Sequence, residues 1–245
     1  MKRTIITCVV LCGVAVAAVA ADEKPAGQFK TMLSAGVSLT GGNSETLSAN
    51  GALTTEGEKE GLGSVRVGLE AKYGESTVAD VKDTTVETAK TYGNVKKTIT
   101  PMTFGYIDGL ILYDAIAKID YRVTVGPGLG CYLLKDDQLT LSVEAGGSYV
   151  WDKLAGESEN HLALRVAERC TYAPSGTVKF WQSAEYLPSV DELSDYMMTA
   201  ELGAESAMSA RMSLRVVLQD KYDSTPVPGL KNNDLALIAG ISVSL

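Results

Sequence analysis

Residues 234–245, Asp234-Leu235-Ala236-Leu237-Ile238-Ala239-Gly240-Ile241-Ser242-Val243-Ser244-Leu245, place an apolar side chain at every odd position up to the carboxylate. A period of two marks a strand with one apolar face. Soluble domains leave their ends loose and polar, because an unpaired edge strand invites aggregation. This strand is therefore expected to have a partner on its edge.

The same period recurs from Phe29 onwards in segments of about a dozen residues, longer than the five or six usual in soluble sheets. The first sets Phe29, Thr31, Leu33, Ala35, Val37 and Leu39 against Lys30, Met32, Ser34, Gly36 and Ser38. The third sets Val65, Val67, Leu69, Ala71 and Tyr73 against Ser64, Arg66, Gly68, Glu70 and Lys72. Strands are expected near 29–39, 47–54, 64–73, 85–97, 102–113, 119–134, 138–151, 160–173, 177–187, 195–207, 210–222 and 234–245. The segment 85–97 alternates poorly and is included because its neighbours need a partner between them. Gly and Thr scattered through every segment exclude helix.

Twelve is an even count, so both ends fall on one side and the strand at Phe29 can pair with the one ending at Leu245. The expected fold is all-β: a single antiparallel transmembrane β-barrel with both termini periplasmic. One side has short turns near 58–61, 100–101, 135–137, 174–176 and 207–209. The other has longer connections at 41–45, 75–84, 114–118, 152–159, 188–194 and 223–232, several of them acidic. Aromatic residues form two expected girdles. Tyr73, Tyr113, Trp151, Tyr186, Tyr196 and Tyr222 stand at the long-loop ends, and Phe29, Phe104, Tyr132, Tyr172 and Phe180 at the short-turn ends. A secreted β-sandwich, here a soluble periplasmic binding module, alternates in the same way, but strand length, loop sidedness and aromatic banding favour the barrel.

Met1-Lys2-Arg3 is basic, Thr4 to Val19 is apolar, and Ala18-Val19-Ala20 is a small-x-small cleavage site. Residues 1–20 read as a signal peptide, 21–28 as a short periplasmic segment and 29–245 as the barrel. Cys8 and Cys12 lie in the signal without a lipoprotein tripeptide; Cys131 and Cys170 are too few for a disulfide framework and read as small apolar fillers. Losing Lys2 and Arg3 leaves 20 of the 22 basic residues against 30 acidic ones, so nucleic acid is an improbable partner.

Three groups of residues carry a resemblance: Thr40-Gly41-Gly42-Asn43-Ser44-Glu45-Thr46; Asp108, Asp120, Arg122 and the Gly126-x-Gly128-x-Gly130 run; and Tyr222-Asp223-Ser224-x-Pro226 leading to Lys231 and Asp234. In this order they resemble the YdiY-like salt-induced outer membrane proteins, the domain of unknown function 481. The resemblance covers residues 29–245 and implies a barrel in the outer membrane of a Gram-negative envelope. It also implies two partners, the lipid of that membrane and its assembly machinery. Members commonly finish on an aromatic residue, whereas this chain ends at Leu245. No reaction, cofactor or substrate comes with the family.

With the apolar set facing lipid, the other set lines the interior: Arg66, Glu70, Asp120, Arg122, Glu144, Arg165, Arg169 and Arg215 are the candidate lining, accompanied by Lys72, Lys179, Glu185, Glu201, Glu205 and Arg211. Mixed charge suits either a polar pore for small solutes or ions, or a closed structural barrel filled by ion pairs. Asp120 and Arg122, two residues apart, are expected to point the same way and pair. Asp108 has two open readings, inward or turned by a bulge, and the face of Glu168 is open too.

No catalytic, cofactor or metal site is expected. "GPGLG" at 126–130 lacks the phosphate-loop spacing and reads as small wall residues that let neighbours approach. The acidic loops have no calcium-loop spacing and read as a solvated rim. His161 near Ser158 is a thin basis for a barrel hydrolase, since a triad needs its members placed in space.

Overall fold

The computed structural model describes residues 28–41, 46–59, 62–78 and 81–245. The expected signal peptide, all but Gln28 of the segment after it, and the Gly42-Asn43 hairpin lie outside the described residues.

Twelve strands are described: β1 Gln28–Gly41, β2 Thr46–Lys59, β3 Gly63–Val78, β4 Val81–Thr100, β5 Thr103–Asp114, β6 Ile119–Lys135, β7 Leu139–Leu154, β8 Glu157–Ser175, β9 Val178–Pro188, β10 Tyr196–Ala207, β11 Met212–Asp223 and β12 Asn233–Ser244. Each pairs with its sequence neighbours, and β12 pairs antiparallel with β1 from Met32↔Ser244 to Gly41↔Leu235, so the sheet is a closed barrel. The Leu245 amide donates to the Thr31 carbonyl at 2.9 Å. The edge expected to have a partner thus has one. Closure matters physically because hydrocarbon offers no water to an unpaired backbone group.

Polarity is reversed relative to a soluble domain. Leu33, Val37 and Leu39 of β1, Leu202 of β10, Leu214 of β11 and Leu237 and Ile241 of β12 are exposed on the outer wall, while Ser38, Ser48, Ser142, Glu144, Arg165 and Ser242 are buried. A sandwich would bury its apolar set between two sheets, and here that set faces outwards. The seam is tight: a Cβ on Gly36 would stand 2.3 Å from the Ala239 carbonyl oxygen, on the strand that closes the ring.

Two connections expected as long loops are instead hairpins. β3 runs to Val78 and β4 starts at Val81, and β7 and β8 are joined through Ala155 and Gly156, both at positive φ (50° and 93°), where a glycine relieves the strain. β4, the poorly alternating segment, is the longest strand at 20 residues. Its outward positions include Ala89, Thr91 and Gly93, too small and polar to make an apolar signal. The connections 189–195 and 224–232 remain loops.

Two girdle assignments fail. Phe104 is only 2% exposed and packs against Tyr132 with ring centroids 5.0 Å apart, both turned inward. Phe29, Tyr172 and Phe180 remain exposed at the short-turn end. At the other end Tyr196 stacks on Tyr222 and meets Tyr186 at a tilt, with centroid distances of 5.7 and 5.3 Å, and Tyr149 adjoins Trp151 at 4.4 Å.

Candidate functional site

Every lumen residue owes its place to strand parity, except where a bulge resets it. Ile119 pairs with Leu154 and the next pairing joins Tyr121 to Lys153, so Asp120 has no partner across the ladder. Ile119 is buried, Asp120 is exposed and Arg122 is buried. Asp120 therefore lies outside the lumen and does not pair with Arg122. Arg211 lies in the turn before β11, exposed. Asp108 faces inward without any bulge, opposite Asn94, whose side-chain amide donates to it at 3.0 Å. Glu168 faces outward, where the Gln182 amide donates to it.

The interior holds a cavity of about 870 Å³. Its lining runs from Lys30, Glu56 and Ser64 beside the short turns to Asp223, Pro226 and Asn232 in the β11–β12 connection. Seven of the eight candidates, Arg66, Glu70, Arg122, Glu144, Arg165, Arg169 and Arg215, line it.

The lining charges fall into two sets. One set, carried by residues of β4 to β9, is locked together. Arg165 Nη1 donates to Glu144 at 2.8 Å and its Nε to Glu185 at 2.7 Å, with Asp108 4.0 Å away. Lys96 reaches Glu144 from β4 at 2.6 Å. Arg122 grips Asp152 with Nε at 2.9 Å and Nη2 at 2.8 Å, in the fork geometry that suits a guanidinium to a carboxylate.

The other set is loose. Arg66 approaches Glu56, and Arg215 approaches Glu201, no closer than 3.9 Å, beyond hydrogen-bond distance. The Nε atoms of both arginines are buried without a hydrogen-bond partner among the described residues. Arg169 and Lys179 form no ion pair among the described residues. Lys90, by contrast, holds Glu70 at 3.1 Å.

Between these charges lie aromatic rings that sequence parity had not singled out, each opposite a glycine. Tyr92 faces Gly68, Phe104 faces Gly130, Tyr106 faces Gly128, and Trp181 faces Gly203. A Cβ on Gly203 would stand 2.0 Å from the Trp181 ring, and one on Gly128 would stand 2.3 Å from Tyr106. The glycines let the rings lie flat against the wall and leave the axis free. "GPGLG" is part of this lining. The flattened rings also seat cations: Arg165 lies 5.1 Å from the Tyr106 centroid and Arg215 4.6 Å from that of Trp181. The missed signal was an inward glycine registered against an inward aromatic.

Ser158 is separated from His161 by three positions and so belongs to the opposite face of β8, which leaves no serine–histidine pair there. Cys131 and Cys170 are free thiols, and among the described residues no group of metal-ligating side chains comes together.

The chain matches the family described as "Protein of unknown function, DUF481" over residues 33–245. No curated protein sequence matches significantly. Among solved structures the fold is similar to the NanC porin (11% identity, 87% of this chain and 100% of that one, TM-score 0.59) and to the KdgM porin (8% identity, 87% and 99%, TM-score 0.52). At such identities the likeness is one of fold.

Proposed function

The chain belongs to the DUF481 family, and from the geometry of its lumen we propose that it is an outer-membrane barrel that passes small polar solutes or ions passively. The observation that carries this reading is the charged cavity of about 870 Å³, whose lining reaches from the short turns to the long loops inside an apolar outer wall. A water-filled path needs polar groups along it, and charged side chains line this cavity from Lys30 and Glu56 at one end to Arg122 and Asp223 at the other. The porin-like fold supports the reading. The leader-like residues 1–20 and the short turns on one side support a location reached by export, with both termini periplasmic. The motifs quoted above support a YdiY-like member within the family.

A closed structural barrel is the second reading, and one observation favours it. Lys96 to Glu144, Arg165 to Asp108 and Arg122 to Asp223 join non-adjacent strands across the interior, and Val227 and Leu230 of the β11–β12 connection line the cavity at the long-loop end. Proteoliposome swelling separates the two. The proposal expects vesicles carrying refolded barrel to swell in isosmotic solutions of small neutral polyols and to swell less as the solute grows. No swelling with any solute, from protein shown to be folded, would leave the closed barrel standing. Fractionation with a gel run unheated and boiled tests the location: an outer-membrane fraction and a boiling-dependent shift are expected.

A further inference from the structure

Arg66, Arg169 and Arg215 come from β3, β8 and β11, strands that share no ladder in the ring. Arg66 and Arg215 are nevertheless among the charges that act on Arg169, together with Glu201 and Glu56, and Arg169 and Arg66 are among those that act on Lys179, together with Glu56 and Glu205. Residues on non-adjacent strands can meet in this way only across the lumen. All four cations line the same cavity, and Arg66, Lys179 and Arg215 stand near the short-turn starts of their strands.

Three carboxylates stand among them, and none is hydrogen-bonded to any of the four cations. Glu201 accepts the Trp181 indole N–H at 2.5 Å, and Glu205 accepts the Ser213 hydroxyl at 2.7 Å. Glu56 stays 3.9 Å from Arg66. Four cations thus outnumber three carboxylates there, with two buried guanidinium N–H donors unmet. An acceptor placed between the cations would satisfy those donors and balance the excess charge. Guanidinium forks suit a planar or tetrahedral oxyanion, and the flanking Trp181 and Tyr92 rings keep two of the forks oriented.

We propose that Arg66, Arg169, Lys179 and Arg215 form an oxyanion-binding station in the lumen, taking the carboxylate or phosphate group of a small hydrophilic solute. This rests on the reading of the cavity as accessible to solutes. The station lies toward the short-turn end, since Arg66, Lys179 and Arg215 each follow closely on the start of their strands. A solute passing through would exchange part of its hydration shell for these donors, and the absence of tight ion pairs leaves the donors available.

The test uses the full barrel refolded in detergent micelles, with inorganic phosphate as the probe, in equilibrium dialysis at low ionic strength. Saturable phosphate binding is expected, weakened about tenfold by Arg169→Gln and by Arg215→Gln, the loss of one charge-assisted hydrogen bond each. Lys97→Gln, on the outer wall, is expected to leave binding unchanged. Displacement of phosphate by acetate would extend the station to carboxylates, and failure to displace it would confine the station to phosphate. Each variant is first shown to be folded by its boiling-dependent gel shift; should Arg215→Gln not fold, Arg169→Gln, which breaks no ion pair, still decides. Absence of saturable binding, or equal binding by Arg169→Gln and the wild type, overturns the proposal. Phosphate binding by a barrel that lets no solute through would keep the station and defeat the conduit; swelling without phosphate binding would do the reverse.

Discussion

Arg165 and Arg169 stand four residues apart on the same strand and face the same cavity, yet they live in different electrostatic worlds. Arg165 donates to two carboxylates at 2.7 and 2.8 Å, and a third lies 4.0 Å away. Arg169 has no ion pair among the described residues, and the charges that act on it are mixed: Arg66 and Arg215 on one side, Glu201 and Glu56 on the other. Residue type and strand parity are identical for the two. What differs is which carboxylate the neighbouring strands bring into register. A locked arginine is part of the wall, and a loose one is a ligand in waiting.

The comparison can be broken most forcefully at the locked side. Arg165→Met would take the cation from Glu185 and Asp108 and leave Glu144 with Lys96 alone, and removing one partner of a buried ion pair costs about 3 kcal/mol or more. Urea unfolding of the barrel from lipid vesicles is expected to show that loss; a shift under ~0.5 kcal/mol would mean the network is solvated.

A middle-sized effect is expected where the wall depends on glycine. Gly128→Leu would drive Tyr106 off the wall and into the lumen, since even a Cβ there meets the ring at 2.3 Å. Overpacking of this kind costs about 1–3 kcal/mol and should also narrow the path, seen as slower swelling. Gly147→Ala, with nothing within 4 Å of its Cβ, is the control expected to change neither.

The smallest stability effect belongs to the loose side. Arg169→Gln is expected to leave the unfolding midpoint within ~0.5 kcal/mol of the wild type, because no bond is broken. A large loss would show that Arg169 is structural after all and would erase the contrast with Arg165.

Much of the barrel was legible because lipid outside and water inside impose a strict period of two on every strand, and 234–245 carries that period without a break. Seven lining residues followed from parity alone. Asp120 did not, because a single extra residue at Ile119/Tyr121 resets the count and nothing in the local sequence marks it. Phe104 and Tyr132 went to the wrong face because an aromatic near a strand end reads as a girdle residue; only the register shows that inward glycines make room for the Phe104 ring. Loop length misled in the same way at 152–159, where polar residues continue the ladder beyond the apolar belt. The split between locked and loose cations is a matter of cross-lumen distance, and no sequence pattern carries that.

The central claim is that the charged interior is a path and not a plug. Single-channel recording in a planar bilayer tests it most directly, with refolded wild-type barrel in potassium chloride. Discrete ohmic current steps, with a reversal potential in a salt gradient that shifts on Arg169→Gln, are what this account predicts. Protein that inserts, resists detergent until boiled and yet passes no current would contradict it.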